Sequence, residues 1–221
     1  IIKPILRGRD IKRYYYEWAG LWVIFIPWHF PLHEDISIQG ASEKAEKEFQ
    51  KKYPAIYNHL LEFKDQLSKR NKEETGIRYE WYALQRCAAT YYPEFEKEKV
   101  VWAETDQNLN TVIVPKEMYL QKTCFMIITD KPKIINGLLN SQISQWYIGQ
   151  KSPLLGEKGM SLTKESVKEI PLPPITPSNE ALVKRIEELV DEILAAKKQA
   201  PQADTSEWER EIDEIVYKLY D

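Results

Sequence analysis

Cations interleaved with amides and aromatic rings are the chemistry most visible along this chain, and three segments carry it. The first, 3–13 (KPILRGRDIKR), sets Lys3, Arg7, Arg9, Lys12 and Arg13 against a single acid, Asp10, and Gly8 lets the backbone come close to a ligand. The second, 78–86 (RYEWYALQR), alternates Arg78, Gln85 and Arg86 with Tyr79, Trp81 and Tyr82. The third, 149–158 (GQKSPLLGEK), carries Gln150, Lys151 and Lys158, and a polar stretch at 106–110 (DQNLN) offers Asn108 between expected strands. Such cations neutralise phosphates, and Arg, Lys, Asn and Gln match the donors and acceptors on base edges, so a surface that reads duplex DNA needs these residue types. Each segment alone also fits a solvated face, and Trp81 and Tyr82 fit a packed core as well as a stacking platform.

Catalytic constellations fare worse. Transfer to an amino group of a base needs a polar residue and an aromatic flanking a Pro-Pro pair, one to accept from the amine and one to stack on the flipped base. Pro173-Pro174 has Leu172 and Ile175 instead, which do neither. Asp10-Ile11-Lys12 and Glu62-Phe63-Lys64 match a metal-nuclease fragment by spacing alone. His29 and His33 are four apart, but Pro31 between them opposes a helical pair of metal ligands. No glycine-rich turn of the nucleotide-cradling kind follows a strand. We therefore expect no catalytic residue, no metal site and no cofactor site in this chain.

Several elements must position the basic segments. Apolar runs rich in β-branched and aromatic residues at 20–26, 99–104, 111–115 and 122–130 predict strands. Ile56, Leu60, Phe63 and Leu67 recur at helical spacing and predict a helix over 54–70, after an exposed helix at 42–52. From Pro132, Ile134, Ile135, Leu138, Leu139, Ile143, Trp146 and Tyr147 form one stripe that predicts a helix packed on the sheet and ending near Gly149. Four prolines in 171–177 (PLPPITP) predict a stiff connector and a domain boundary. Beyond it, Ser178 is the expected cap of a helix with a heptad-like stripe, and Ser206 with Glu209 forms an expected capping box for a last helix. The expectation is a mixed α+β (α/β) fold: a domain at 1–177 with a small mixed β-sheet and packed helices, then a helical hairpin at 178–221. Its stripes face each other or another subunit.

The 221 residues are 43% hydrophobic, enough for a core, with a net charge of −3 that taken alone opposes a nucleic-acid partner. Distribution alters this. Residues 178–221 hold six basic and twelve acidic side chains, a net of −6, which leaves +3 on 1–177. Two cysteines without CxxC spacing and no leader-like start lead us to expect a reducing cytoplasm, and the run 21–27 is too short to span a bilayer. The start at Ile1 rather than Met suggests an excised stretch, with its chemistry upstream.

The order of several stretches resembles the TaqI-like C-terminal specificity domain of type IIG restriction-modification enzymes and adenine-specific DNA methyltransferases. They are KPILRGRDIKRY (3–14), RYEWYALQRC (78–87), KVVWAE (99–104), GLLNSQISQWY (137–147), EIPLPPI (169–175) and the closing IDEIVYKLYD (212–221). The stretch 156–174 is similar to target-recognition domains of type I specificity subunits. The resemblance implies that 1–177 is a DNA target-recognition domain and 178–221 a helical spacer or docking hairpin, with double-stranded DNA as one partner and a methyltransferase domain of the same polypeptide, which binds S-adenosylmethionine, as another. It makes Arg78, Trp81, Tyr82, Arg86 and the loop around Lys151 and Lys158 the positions expected to meet DNA. A second reading, a protein–protein interaction or scaffold module of a restriction-modification or phage-defence complex, rests on the hairpin.

Overall fold

The computed structural model describes residues 1–85 and 92–220. In chain order the strands are β1 (Ile2–Leu6), β2 (Ile11–Lys12), β3 (Tyr15–Tyr16), β4 (Trp22–Ile24), β5 (Lys99–Ala103), β6 (Thr105–Asp106), β7 (Thr111–Val114), β8 (Tyr119–Leu120), β9 (Cys124–Ile127) and β10 (Met160–Ser161). The helices are α1 (Glu43–Lys52), α2 (Pro54–Leu61), α3 (Lys64–Ser68), α4 (Pro132–Asn140), α5 (Gln142–Lys151), α6 (Lys164–Lys168), α7 (Glu180–Gln199) and α8 (Ser206–Tyr220). This is the mixed α+β class expected. Two compact units form, one of Ile1–Lys3 and Trp22–Glu94, the other of Pro4–Leu21 and Phe95–Asp221.

Aromatic rings build the first unit. The Ser42 hydroxyl caps α1 by accepting from the Ala45 amide, and Pro54 opens α2 where a missing N–H costs nothing. The helix expected over 54–70 is broken: the Phe63 amide bonds the Leu60 carbonyl, one residue short of α spacing, and α3 starts afresh. Phe49 meets Tyr82 with centroids 4.6 Å apart and Tyr57 edge-on at 5.8 Å, and Trp28 stacks on Tyr79 at 4.7 Å. Their polar atoms are matched inside the core. Trp81 Nε1 and the Tyr57 hydroxyl both donate to Glu46 Oε1, at 2.7 and 2.9 Å, and the Tyr82 hydroxyl donates to the Phe30 carbonyl at 2.9 Å.

In the second unit β5 lies between β7 and β9, antiparallel to both, with Val101 opposite Val112 and Met126. Strand alternation sends Val100 and Trp102 to one face, where Leu139 and Ile148 cover them, and Val101 to the other, against Leu6, Ile11 and Val112. The single helix expected from Pro132 is two helices. Ser141 and Ser144 hydroxyls capture the Leu138 carbonyl, both at 2.7 Å, and the chain turns so that the Gln142 amide meets Asp213 Oδ1 at 2.8 Å. Hydroxyls that compete for helix carbonyls end α4.

The proline segment is not a boundary between compact units, which corrects the division into 1–177 and 178–221. Val183, Ile186, Leu189, Val190 and Ile193 of α7 and Ile212, Ile215 and Val216 of α8 share one core with Ile134 and Leu138 of α4. At Gly137 the approach is close enough that a Cβ would stand 2.8 Å from Ile186 Cγ2. The stripe read as a docking face is thus spent mainly within the unit. Cap positions move as well. Asn179, not Ser178, precedes α7, and its side chain folds back to the connector, accepting from the Thr176 amide and donating to the Pro174 carbonyl. Before α8 the Thr205 hydroxyl donates to Glu209 and Asp204 accepts from the Ser206 amide, so the box at Ser206 and Glu209 does not form. Among the described residues no helix is long and apolar enough to cross a membrane.

Candidate nucleic-acid interface

A turn of the second unit holds Arg7 and Arg9. Its single 3-10 turn, Gly8–Asp10, is locked by Asp10, whose carboxylate accepts from the Arg7 amide at 2.9 Å and from the Arg7 guanidinium at 2.7 Å. Burial alone would raise the Asp10 carboxyl, but the hydrogen bonds from the Arg7 side chain and backbone outweigh it and hold it below the usual range. Gly8 donates its amide to Thr123 Oγ1 at 3.0 Å, and a Cβ there would lie 2.9 Å from the Thr123 carbonyl. Arg9 is left exposed, and the Lys12 ammonium caps its carbonyl at 2.8 Å. Arg7, Gly8 and Arg9 line an open cleft of about 290 Å³ with Glu104, Thr105, Gln121 and Thr123.

Thr105 links that cleft to two loops. β6 pairs antiparallel with β10, Thr105 opposite Ser161 and Asp106 opposite Met160. Next to the pair the backbones crowd: Gly159 has φ +97°, and a Cβ on it would fall inside the Asp106 carbonyl. Gln107 Nε2 donates to the Glu157 carbonyl at 2.8 Å, and Trp102 Nε1 to the Leu162 carbonyl at 2.8 Å. Beyond Gln107, Leu109 is buried and its amide and carbonyl are clamped by the Gln145 side chain at 2.9 Å each, so Asn108 is presented at an exposed tip. Lys158 is exposed on the facing loop, and Gln150 and Lys151 are exposed where α5 runs into it, Lys151 over the Tyr147 ring at 5.8 Å. The structure therefore brings Arg7, Arg9, Asn108, Gln150, Lys151 and Lys158 onto connected backbone around β6.

Leu154 and Leu155 share the third segment and are exposed there, a feature that charge-based reading passed over. Gln107, Gln121 and Thr123 belong to the same surface, and only the polar composition of 106–110 hinted at any of them.

In the first unit the expected contacts divide. Arg78 is exposed but engaged: its guanidinium bonds Glu74 Oε1 at 2.9 Å and lies 5.5 Å from the Trp28 ring centre. Trp81 and Tyr82 are 6% and 3% exposed, so they are core residues and not stacking platforms, a correction whose cause is the cluster of Phe30, Phe49 and Tyr57 around them. The Lys64 ammonium covers the Trp81 ring at 5.0 Å, and Arg70 donates to the Trp81 and Ala83 carbonyls, each at 2.8 Å. Arg86 lies outside the described residues.

Most of the acids and histidines weighed for catalysis are occupied by packing. Asp10 belongs to Arg7, and of the other fragment Lys64 lies 3.9 Å from Glu46 while Glu62 is exposed at the end of α2. His29 Nδ1 sits 3.1 Å from Glu80 while His33 stacks on Phe30. Among the described residues no three His, Cys, Asp or Glu side chains group as metal ligands. Burial pushes the Cys124 thiol up to about 12, away from thiolate chemistry.

A family model described as TaqI-like C-terminal specificity domain matches residues 3–172. Among solved structures, the type IIL restriction-modification enzyme MmeI in complex with DNA is similar in fold, with a TM-score of 0.61 at 16% identity. The match covers 99% of this chain and 28% of that one. No curated protein matches.

Proposed function

Because this chain belongs to the TaqI-like C-terminal specificity domain family, we propose that it grips duplex DNA and supplies sequence recognition for a larger restriction-modification protein. The observation that carries this is the surface around β6, where three separate stretches of sequence set exposed cations and amides on backbone locked by Gly8, Gly159 and Gln145. Phosphate contact by Arg9, Lys12, Lys151 and Lys158 fixes register, and Asn108, Gln107 and Gln150 are the groups suited to base edges. MmeI, of matching fold, is described with DNA, which agrees with this reading.

On the same reading the catalytic step belongs to another part of the protein, an adenine-specific methyltransferase domain that binds S-adenosylmethionine and works in the cytoplasm. The outward, acidic side of α7 and α8 is where that domain docks, since their apolar sides are already covered by α4. Affinity of the full chain for a labelled mixed-sequence duplex, titrated against salt, tests the proposal. Binding should weaken linearly on a log–log plot, and Arg9→Ala should reduce the slope by about 1. No binding at low salt, or binding indifferent to salt, would overturn it.

A further inference from the structure

Leu154 is 77% exposed and Leu155 44%, side by side on the loop that carries Lys158. Exposed leucines on a slack loop fold back onto the nearest apolar surface, and here that is prevented. The Leu155 amide donates to the Gly159 carbonyl at 2.7 Å, the Gly159 amide to the Gly156 carbonyl at 3.2 Å, and the Ser161 amide to the Pro153 carbonyl at 2.9 Å. Leu154 also forms a bridge with Met160, and Gln107 holds the Glu157 carbonyl from the next loop. At the root Met160 and Leu162 are buried. The loop is a stiff prong with two apolar side chains held outward.

We infer that Leu154 and Leu155 form a wedge that enters the base stack of a bound duplex and kinks it, an inference that rests on the DNA-recognition reading above. Stiff apolar side chains flanked by cations are what such a step requires. The leucines replace part of the stacking between two base pairs, and the ammonium groups hold the adjacent phosphates; kinks of about 20–90° result where such wedges act. Lys151 and Lys158 flank the pair along the chain, both exposed. A protein partner fits this surface less well, since lysine is depleted at such interfaces. The wedge also gives recognition a source beyond contacted bases, because steps that unstack easily are favoured.

Duplexes enriched from a random-sequence pool by the full chain supply the probe, labelled at both ends for energy transfer. The unaltered chain should raise transfer on binding. The double variant Leu154→Ser with Leu155→Ser should bind about tenfold more weakly and, at saturation, leave transfer at the value of free duplex, while Lys158→Ala weakens binding and keeps the bend. Should the double variant melt below the assay temperature, Leu154→Ala alone is read in the same way. Failure to enrich any duplex at low salt would remove the recognition reading itself. Enrichment with a straight duplex, as expected if the leucines dock a protein, a folded double variant that still bends DNA, or one whose affinity drops more than a hundredfold would each overturn the wedge alone.

Discussion

Replacing Asn140 by Ala should weaken the second unit far more than loss of an ordinary polar side chain. Asn140 is fully buried at the end of α4, and its amide completes the free edge of β7 as a strand would. Oδ1 accepts from the Thr111 amide at 2.9 Å and Nδ2 donates to the Thr111 carbonyl at 3.0 Å. That carbonyl keeps the Tyr14 amide at 3.0 Å, so truncation orphans only the buried Thr111 N–H. An orphaned donor costs roughly 1–3 kcal/mol and the second, lost bond about 1, so about 3 kcal/mol is expected. Hydrogen exchange at the Thr111 amide reads this directly, as a fall in protection of about a hundredfold. Asn140→Asp sharpens the logic. Burial and the Thr111 carbonyl raise the folded pKa of the introduced carboxyl, so its stabilisation is present below the unfolded value of about 3.9 and is lost as pH rises through the folded one. The deficit of Asn140→Asp relative to Asn140→Ala should therefore shrink on acidification. A loss below about 1 kcal/mol for Asn140→Ala, or an acid variant indifferent to pH, would refute the edge-completion argument.

Three further outcomes follow from particular contacts. Gly159→Ala places a Cβ in the Asp106 carbonyl and should cost at least tenfold in duplex affinity, read by anisotropy; unchanged affinity would detach the loop from the interface. Lys99 is fully buried and donates to the carbonyls of Phe95, Lys97 and Pro115, and burial pulls its ammonium from 10.5 to about 8. Between those values the unfolded chain binds more protons, so stability relative to Lys99→Met should rise by about 2 kcal/mol from about pH 7.5 to 9.5 in urea titrations, and a flat difference would contradict this. Trp81→Phe removes the bond to Glu46 and should lower stability by about 1–3 kcal/mol with duplex affinity unchanged; reduced affinity at full stability would restore the ring as a platform.

What could be read from residue order was what local periodicity encodes. The runs at 99–104 and 111–115 gave β5 and β7 because β-branched residues buried on both faces have a signature, and Lys158 and Asn108 were placed on loops by Gly and Asn content. Long-range pairing left no such trace. β6 and β10 are two residues each and 55 apart from Asp106 to Ser161, too short for any period. Ring fate was equally hidden. Trp81 is buried because Glu46, 35 residues earlier, satisfies its indole, and no spacing announces that. Arg7 read as a free cation because Asp10 was counted as one acid against five cations, whereas the 3-10 turn aims that charge at it.

The same contrast explains how a recognition surface can be both rigid and replaceable. The side-chain amides of Asn140 and Gln145 bond to the backbone of Thr111, Leu109 and Leu139, so they fix the polar loop without consulting its side chains. Gly8 and Gly159 likewise serve backbone approach. Gln107 also bonds a backbone carbonyl, that of Glu157, but its partner Glu157 contributes no side-chain atom. Side chains at 108, 150, 154, 155 and 158 make none of these framework bonds and on the proposed reading are open to exchange without loss of the frame, whereas change at Asn140 or Gln145 disturbs the backbone at 109–111 that presents Asn108. On the proposed reading, substituting the outward side chains should alter specificity, and substituting the inward amides should abolish it.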